Sequence, residues 1–421
     1  MMQNYISCYA NGANDTWGLQ SMPNASEIMI NHLDNYIREV DFSDAQARGV
    51  NMVRIPVAFW MFIETQGDEP YWTDSRQKDY YLPRLLGWAQ KYDMEVLIDI
   101  HALPGGQNTD EHSGRNLVTA GLSPQFWNST NLARGNDTVD AVLEWIQGLN
   151  DTLRDTIAII ELVNEPTISA SGAYESLVGY YLANQAKVAA QLPDVWTMIS
   201  DAWLGTSSWG TVFNTSQKVV MDLHWWNMFG APPSLPTLEQ YCNLTDTSTS
   251  TTPSAWKNPV LIGEFAAAQN NASLLYATTD AQKLQFYQQY YGTQLWAARG
   301  SGGATPLYRG AFYWSMVCTN CGPVWEPYYV VGASDTLAFT EPNWCESGSS
   351  SSSTSIVQIN KAPEHTYDSC GVYQDSTSGT ATASSGSSTA TSTKTGASRR
   401  LCALQPSFMV VVLALGVLFV V

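Results

Sequence analysis

The sequence predicts an α/β fold of the (β/α)8 TIM-barrel class followed by a disordered, Ser/Thr-rich C-terminal tail, and three observations carry the prediction. Short apolar runs rich in β-branched residues alternate with amphipathic, helix-like stretches, the pattern of parallel strands covered on both faces by crossover helices. A polar or aromatic residue sits at the C-terminal end of each run, and in a parallel barrel those ends converge on one face. A chain of 421 residues has room for one barrel-sized domain besides such a tail.

Taken in order, the predicted strands are Met52–Phe59, Glu95–His101, Ile157–Val163, Trp196–Ala202, Val219–His224, Val260–Phe265 and Gly310–Ser315. Helix-like stretches lie between them at Tyr81–Tyr92, Thr138–Leu149, Tyr174–Ala190 and Asp280–Ala298. No Gly-rich phosphate loop follows any run, which disfavours a doubly wound open sheet. Seven strands are one fewer than a closed barrel needs. Nothing from Met1 to Val40 reads as a first strand, so two sheet edges are expected to lie open. Met1–Ala10 also lacks a basic segment followed by an apolar one, so no signal peptide is seen and the sequence is expected to start late.

The barrel is expected to occupy residues 1–346. Residues 347–398 read as a Ser/Thr-rich stalk with a short cysteine-containing patch at 356–374, since such composition cannot bury enough apolar area to offset ordering entropy. Residues 399–421 read as the propeptide of a glycosylphosphatidylinositol (GPI) attachment signal. Small residues Gly396, Ala397 and Ser398 precede a spacer and the apolar run Phe408–Val421, which is short for a bilayer span. Asn-X-Ser/Thr sequons begin at Asn14, Asn24, Asn128, Asn136, Asn150, Asn214, Asn243 and Asn271, more than this composition supplies by chance. Of the seven cysteines, Cys402 would leave with the propeptide, and the remaining six could pair in fifteen ways. Cys318-X-X-Cys321 is a lone pair and is not read as a metal site. The expected setting is therefore extracellular, at the cell surface or wall, with membrane contact only through the lipid anchor.

Charge excludes some partners. With 20 basic residues against 38 acidic ones, the net charge of −18 argues against nucleic acid and against anionic membrane surfaces. Only 14% of residues are charged, while there are 16 Trp and 21 Tyr, which suits a neutral, hydroxyl-rich ligand that stacks on flat rings.

The predicted strand ends collect Arg54, His101, Asn164 with Glu165, Asp201, His224, Glu264 and Trp314. Glu165 and Glu264 stand out because both directly follow apolar strands. Cleaving a glycosidic bond needs two carboxyl groups, one to protonate the leaving oxygen and one to attack or to position water. Most glutamates in most proteins only cap helices or make ion pairs, so neither residue alone is diagnostic. Asp99, Asp201 and Asp222 read as structural hydrogen-bond acceptors.

The motifs Asn164-Glu165-Pro166 and Gly263-Glu264-Phe265 resemble those of glycoside hydrolase family 5. The loop His101-Ala102-Leu103-Pro104-Gly105-Gly106-Gln107-Asn108, ending in Ser113-Gly114, is similar to that of the family's fungal exo-β-1,3-glucanase branch. So are Val53-Arg54-Ile55-Pro56-Val57 with Phe59-Trp60, and His224 followed by Phe229. The resemblance covers roughly Asn35 to Met316. It implies a retaining hydrolase that releases glucose from the non-reducing ends of cell-wall β-1,3-glucan as a monomer, with no cofactor and no metal. Glu165 is implied as acid/base, its pKa raised when the neighbouring carboxylate is charged, and Glu264 as nucleophile kept ionised by Arg54. Asn164, His101 and His224 are implied to bind sugar hydroxyls, and Trp314 to form the floor under the reacting ring.

The sequence departs from the branch at three places. His224-Trp225-Trp226 stands where the branch has His-X-Tyr, and an indole donates a hydrogen bond but accepts none. Asp110 and His112 stand where the branch has an aromatic clamp and an asparagine. The Gly-Gly-Trp-like first strand is missing. Trp226 and Phe229 stay among the implied substrate contacts, while β-1,6 or β-1,4 glucan cleavage, or glucan binding without turnover, remain the competing readings.

Overall fold

The structure, a computed structural model, describes residues 13–226, 228, 255–268, 279–298, 307–317, 365–367, 373–375 and 410–414. The seven expected strands are all present: β1 (Met52–Ala58), β2 (Glu95–Ala102), β3 (Ile157–Glu161), β4 (Trp196–Ser200), β5 (Val219–Trp225), β6 (Val260–Phe265) and β7 (Tyr308–Trp314). They pair in parallel and in chain order. Their central residues are almost all buried, which explains the near-continuous apolar runs. Removing each such Val, Ile or Leu side chain from water stabilises the fold by about 1.5–3 kcal/mol.

One expectation is corrected. The sheet is a closed barrel, because residues of the apolar tail, Val410–Ala414, pair in parallel with both β1 and β7. The slot expected to be open thus holds a strand. Within and at the edge of the short cysteine-containing patch at 356–374, β8 (His365–Tyr367) and β9 (Tyr373–Asp375) form an antiparallel pair. Val410–Ala414 is β10 in chain order. All seven cysteines lie outside the described residues.

Among the described residues, three helices precede the barrel: α1 (Thr16–Gln20), α2 (Ala25–Asn35) and α3 (Glu39–Ala47). The crossover helices are α4 (Leu82–Lys91), α5 (Ser129–Gly148), α7 (Ala173–Gln191) and α8 (Asp280–Ala298), with the short α6 (Asp151–Arg154) ahead of β3. Helix α5 starts two turns before the expected Thr138. Asn128 caps it by accepting from the Asn131 N–H at 2.9 Å. Its first turns carry little apolar periodicity because the contact there is made by Gly135, where an added Cβ would lie 2.6 Å from the Phe126 ring.

Strand β3 ends earlier than the expected Val163. Beyond Glu161 the backbone leaves the regular ladder, with Leu162 N bonded to Met198 O and Asn164 N to Ile100 O. Glu165 then takes a left-handed backbone, φ 43°. That short irregular segment turns the Glu165 side chain over the barrel mouth rather than along the sheet.

Candidate active site

Five charged side chains carried by the barrel strands form the floor of the site. Arg54 on β1 is wholly buried and holds Glu264 Oε1 at 2.7 Å, Glu161 Oε2 at 2.9 Å and Asp99 Oδ2 at 3.0 Å. It also donates to Asn164 Oδ1 at 2.8 Å. A buried guanidinium needs such partners, because an uncompensated charge costs several kcal/mol. The four carboxylates around it push the Arg54 pKa well above its ordinary value against the opposite pull of burial.

Asp222 on β5 organises the other side. Its Oδ1 accepts the Gly263 N–H at 2.7 Å, and its Oδ2 faces His224 Nε2 at 2.8 Å. A register shift between Leu223 and His224 brings His224 level with Glu264 on β6. Burial, with Asp222 and Asp99 nearby, pushes the Glu161 pKa up, while Arg54 pulls it the other way. Burial would raise the Asp222 pKa as well, but His224 and then Arg54 outweigh it and hold it below the usual value.

From the loop after β3, Glu165 faces the floor residue Glu264. A carboxylate oxygen of Glu165, one of Glu264 and a ring nitrogen of His224 all lie within 4.8 Å of one another. His224 Nδ1 is 2.6 Å from Glu165 Oε1 and 3.7 Å from Glu264 Oε2. His101 Nδ1 pairs with Asp99 Oδ2 at 2.6 Å, which leaves Nε2 as acceptor for Asn164 Nδ2 at 3.3 Å. Asn164 is therefore oriented at both ends of its amide. Trp314, at the end of β7, stacks parallel to the His101 ring with centroids 5.7 Å apart, and its peptide bond to Ser315 is cis.

The structure thus joins Glu165, Glu264, Arg54, His101, Asn164, His224 and Trp314 in one connected set. Trp226 follows β5 half-buried and packs against the core, and Phe229 lies outside the described residues. Asp201 is structural, as expected: its carboxylate accepts the N–H groups of Trp203 and Gly205 at 3.0 and 2.9 Å. Asp99 and Asp222 do more than accept hydrogen bonds, since they hold Arg54 and the two histidines in place.

The two glutamates sit in unequal electrostatic surroundings. Burial alone would raise both glutamates, but His224 and His112 outweigh it at Glu165 and hold its pKa well below the usual range. Glu264 is raised, by burial first and by the charge of Glu165, with His224 and Arg54 opposing. Such a pair titrates jointly, and the two imidazoles on Glu165 weaken its hold on the proton relative to burial alone.

Three contributors were not among the expected site residues. Glu161 is a single charge in an apolar inward-facing strand, a signal that a buried cation lies opposite. His112 touches Glu165 Oε2 at 3.1 Å from the loop after β2. Trp203, half exposed with a left-handed backbone (φ 61°), presents its ring edge-on to His224 with centroids 6.2 Å apart. A loop tryptophan gives no sequence signal of that placement.

Residues 14–302 match the family described as cellulase (glycosyl hydrolase family 5). The chain belongs to glycosyl hydrolase family 5. It is 33% identical over 223 residues to "Probable glucan 1,3-beta-glucosidase A" of Aspergillus fumigatus, covering 51% of this chain and 49% of that protein. It is 30% identical over 259 residues to "Glucan 1,3-beta-glucosidase 1" of Schizosaccharomyces pombe, covering 58% and 60% respectively. The chain thus spans about half the length of the first of these curated relatives. In fold it is similar to a rutinosidase from Aspergillus niger, with TM-score 0.61 and 20% identity over 74% of this chain and 83% of that one. These findings agree with the family read from the glutamate motifs and with the barrel fold.

Proposed function

We propose that this family 5 protein is a retaining β-glucan hydrolase acting on β-1,3-linked glucose from the non-reducing end. The observation that carries the reading is the gap of at most 4.8 Å between facing carboxylate atoms of Glu165 and Glu264. A gap near about 5 Å suits direct attack on the sugar, whereas inversion needs room for a water. The glucan 1,3-beta-glucosidase names of the relatives support the substrate class.

In the first step Glu264 Oε attacks the anomeric carbon while Glu165 gives its proton to the departing glycosidic oxygen. A carbon–oxygen bond to the enzyme forms as the bond to the leaving sugar breaks. In the second step Glu165 takes a proton from water, which attacks the anomeric carbon and releases Glu264. Arg54, 2.7 Å from Glu264, steadies the carboxylate charge as it returns. Asn164, held by Arg54 and His101, is placed to meet the sugar 2-hydroxyl.

Glu264→Ala is expected to abolish glucose release from laminarin while leaving glucan binding measurable. Wild-type protein that binds laminarin yet releases no sugar would instead make this a glucan-binding wall protein. Because Asp110, His112 and Trp226 depart from the branch, pustulan and cellulose oligomers belong in the same assay. Comparable rates on either would reassign the linkage.

An extracellular, lipid-anchored setting is part of the proposal. Of the six sequon asparagines among the described residues, Asn14, Asn24, Asn128, Asn150 and Asn214 are exposed. Asn136 is not fully so, and its amide is tied to Leu132 O and Asn184. Release of activity from cells by a phosphatidylinositol-specific phospholipase is the expected result. Val410–Ala414 cannot both leave with an anchor signal and pair with β1 and β7, so a chain ending at Ser398 decides between these uses. Folded, active protein from that chain favours the anchor; loss of cooperative unfolding favours the strand.

A further inference from the structure

His112 belongs to a loop that is built around Glu165. Asn108 Nδ2 donates to the Glu165 carbonyl at 3.0 Å, and Asn108 Oδ1 accepts the Asp110 N–H at 3.0 Å. The 3₁₀ turn Glu111–Ser113 follows, braced by Ser113 Oγ on Asp110 O at 2.8 Å. Gly114 ends the turn with φ 101°, so close to the Trp60 ring and Tyr71 hydroxyl that a Cβ would meet both at 3.0 Å. The turn is thereby fixed with His112 Nε2 3.1 Å from Glu165 Oε2 and 3.7 Å from Asp110 Oδ2.

Both oxygens of Glu165 therefore face an imidazole nitrogen, Oε1 from His224 and Oε2 from His112. A carboxylic acid that protonates a leaving group must carry its proton on one of those oxygens. His224 cannot yield its place: its side chain is 4% exposed and its other nitrogen is held by Asp222 at 2.8 Å. His112 can, being 27% exposed, with a second partner, Asp110, that is 57% exposed.

We propose that His112 is a positioning residue for Glu165, one whose contact with Oε2 sets the alkaline limit of turnover. The inference rests on the reading of Glu165 as acid/base. The charged or titratable groups facing His112 are Asp110 from its own loop and Glu165 from beyond β3. The His101 ring on β2 stands edge-on with centroids 5.5 Å apart. Facing Glu165 are His112, His224 on β5 and Glu264 on β6. Burial disfavours a charged His112, but Asp110 and Glu165 outweigh it and push its pKa up to about 10. A cation so placed weakens proton binding by Glu165. Replacing it with a neutral residue lets Glu165 keep its proton to higher pH.

The test has two arms on the full-length chain. The first follows kcat/KM against pH on a laminari-oligosaccharide, whose leaving group needs a proton. Relative to wild type, His112→Asn is expected to move the alkaline limb up by about one pH unit. His112→Lys, which restores a cation, should return it. An aryl β-glucoside with an acidic phenol leaving group, which needs little proton transfer, should show no such movement. A merely structural role would lower rates at every pH alike. The second arm reads imidazole nitrogen shifts by NMR, with the His112 signal assigned by its loss in His112→Asn. It is expected to stay protonated through pH 8 in wild type and to titrate lower in Glu165→Gln. An unmoved alkaline limb in His112→Asn, or a His112 that loses its proton near pH 6.5 in wild type, overturns the proposal. Protein that releases no sugar at all refutes the hydrolase reading, and the NMR arm still decides the His112–Glu165 pair.

Discussion

The floor and the rim of the site are built on opposite principles. Arg54, Asp99, Glu161, Asp222 and Glu264 sit on strands, each at most 6% exposed, and Arg54 reaches partners on three different strands of the barrel. Asp110, His112 and Trp203 sit on loops and are 27–57% exposed. A floor group cannot change without disturbing charges that have no water to compensate them. A rim group can change and be re-solvated. Function is thus tied to stability at the floor and largely free of it at the rim.

Arg54→Met should separate the two regions most sharply. It leaves carboxylates on three strands without their shared cation and is expected to cost about 3–5 kcal/mol by urea unfolding, together with all turnover. Unfolding at the wild-type midpoint would show that the floor charges are not coupled to the fold.

Gly263→Ala comes next. An added Cβ would lie 2.0 Å from Asp222 Oδ1, so the carboxylate that accepts the Gly263 N–H must move. A loss of about 1–3 kcal/mol is expected by thermal unfolding followed by circular dichroism. An unchanged midpoint would mean that Asp222 has room to shift.

A smaller effect concerns pH. Burial opposes the charge on His224, but Asp222, Glu264 and Glu165 raise its pKa well above the ordinary value. A group raised on folding contributes stability that is complete below its unfolded pKa and is lost as pH rises through its folded one. Asp222→Asn removes the largest of those attractions, so stability should fall less between neutral and alkaline pH than in wild type. Parallel curves from urea unfolding at several pH values would show that His224 contributes no such dependence.

Trp203→Ala, on the rim, should leave stability within about 0.5 kcal/mol. The KM for laminari-oligosaccharides should rise about 2- to 10-fold, in line with the roughly 0.5–1.5 kcal/mol that an aromatic face-to-ring contact supplies. A fall in unfolding midpoint comparable to that of Gly263→Ala would erase the distinction between floor and rim.

Much of the floor is legible in the sequence. Apolar strands interrupted by Arg54, Asp99 or Glu264 announce buried charge, and the period of the runs announces which ends meet. Glu161 follows the same rule but is easily missed, because one glutamate in Ile159-Ile160-Glu161 looks like a strand edge until its neighbours are known. The rim is less legible. His112 stands out in the sequence only as a departure from the family pattern, since its distance to Glu165 depends on a turn set by Gly114 against Trp60 and Tyr71.

By itself the sequence determined the barrel, the order of its seven strands, the family and the two glutamates, because strand period and strand-end chemistry are local properties. Only the tertiary structure decided how protons are shared and which strand fills the slot between β1 and β7. Proton affinity depends on charges brought together from residues as far apart as Arg54 and Glu264. Closure depends on which distant apolar segment finds two unpaired edges. Both are sums over contacts that no stretch of chain contains alone.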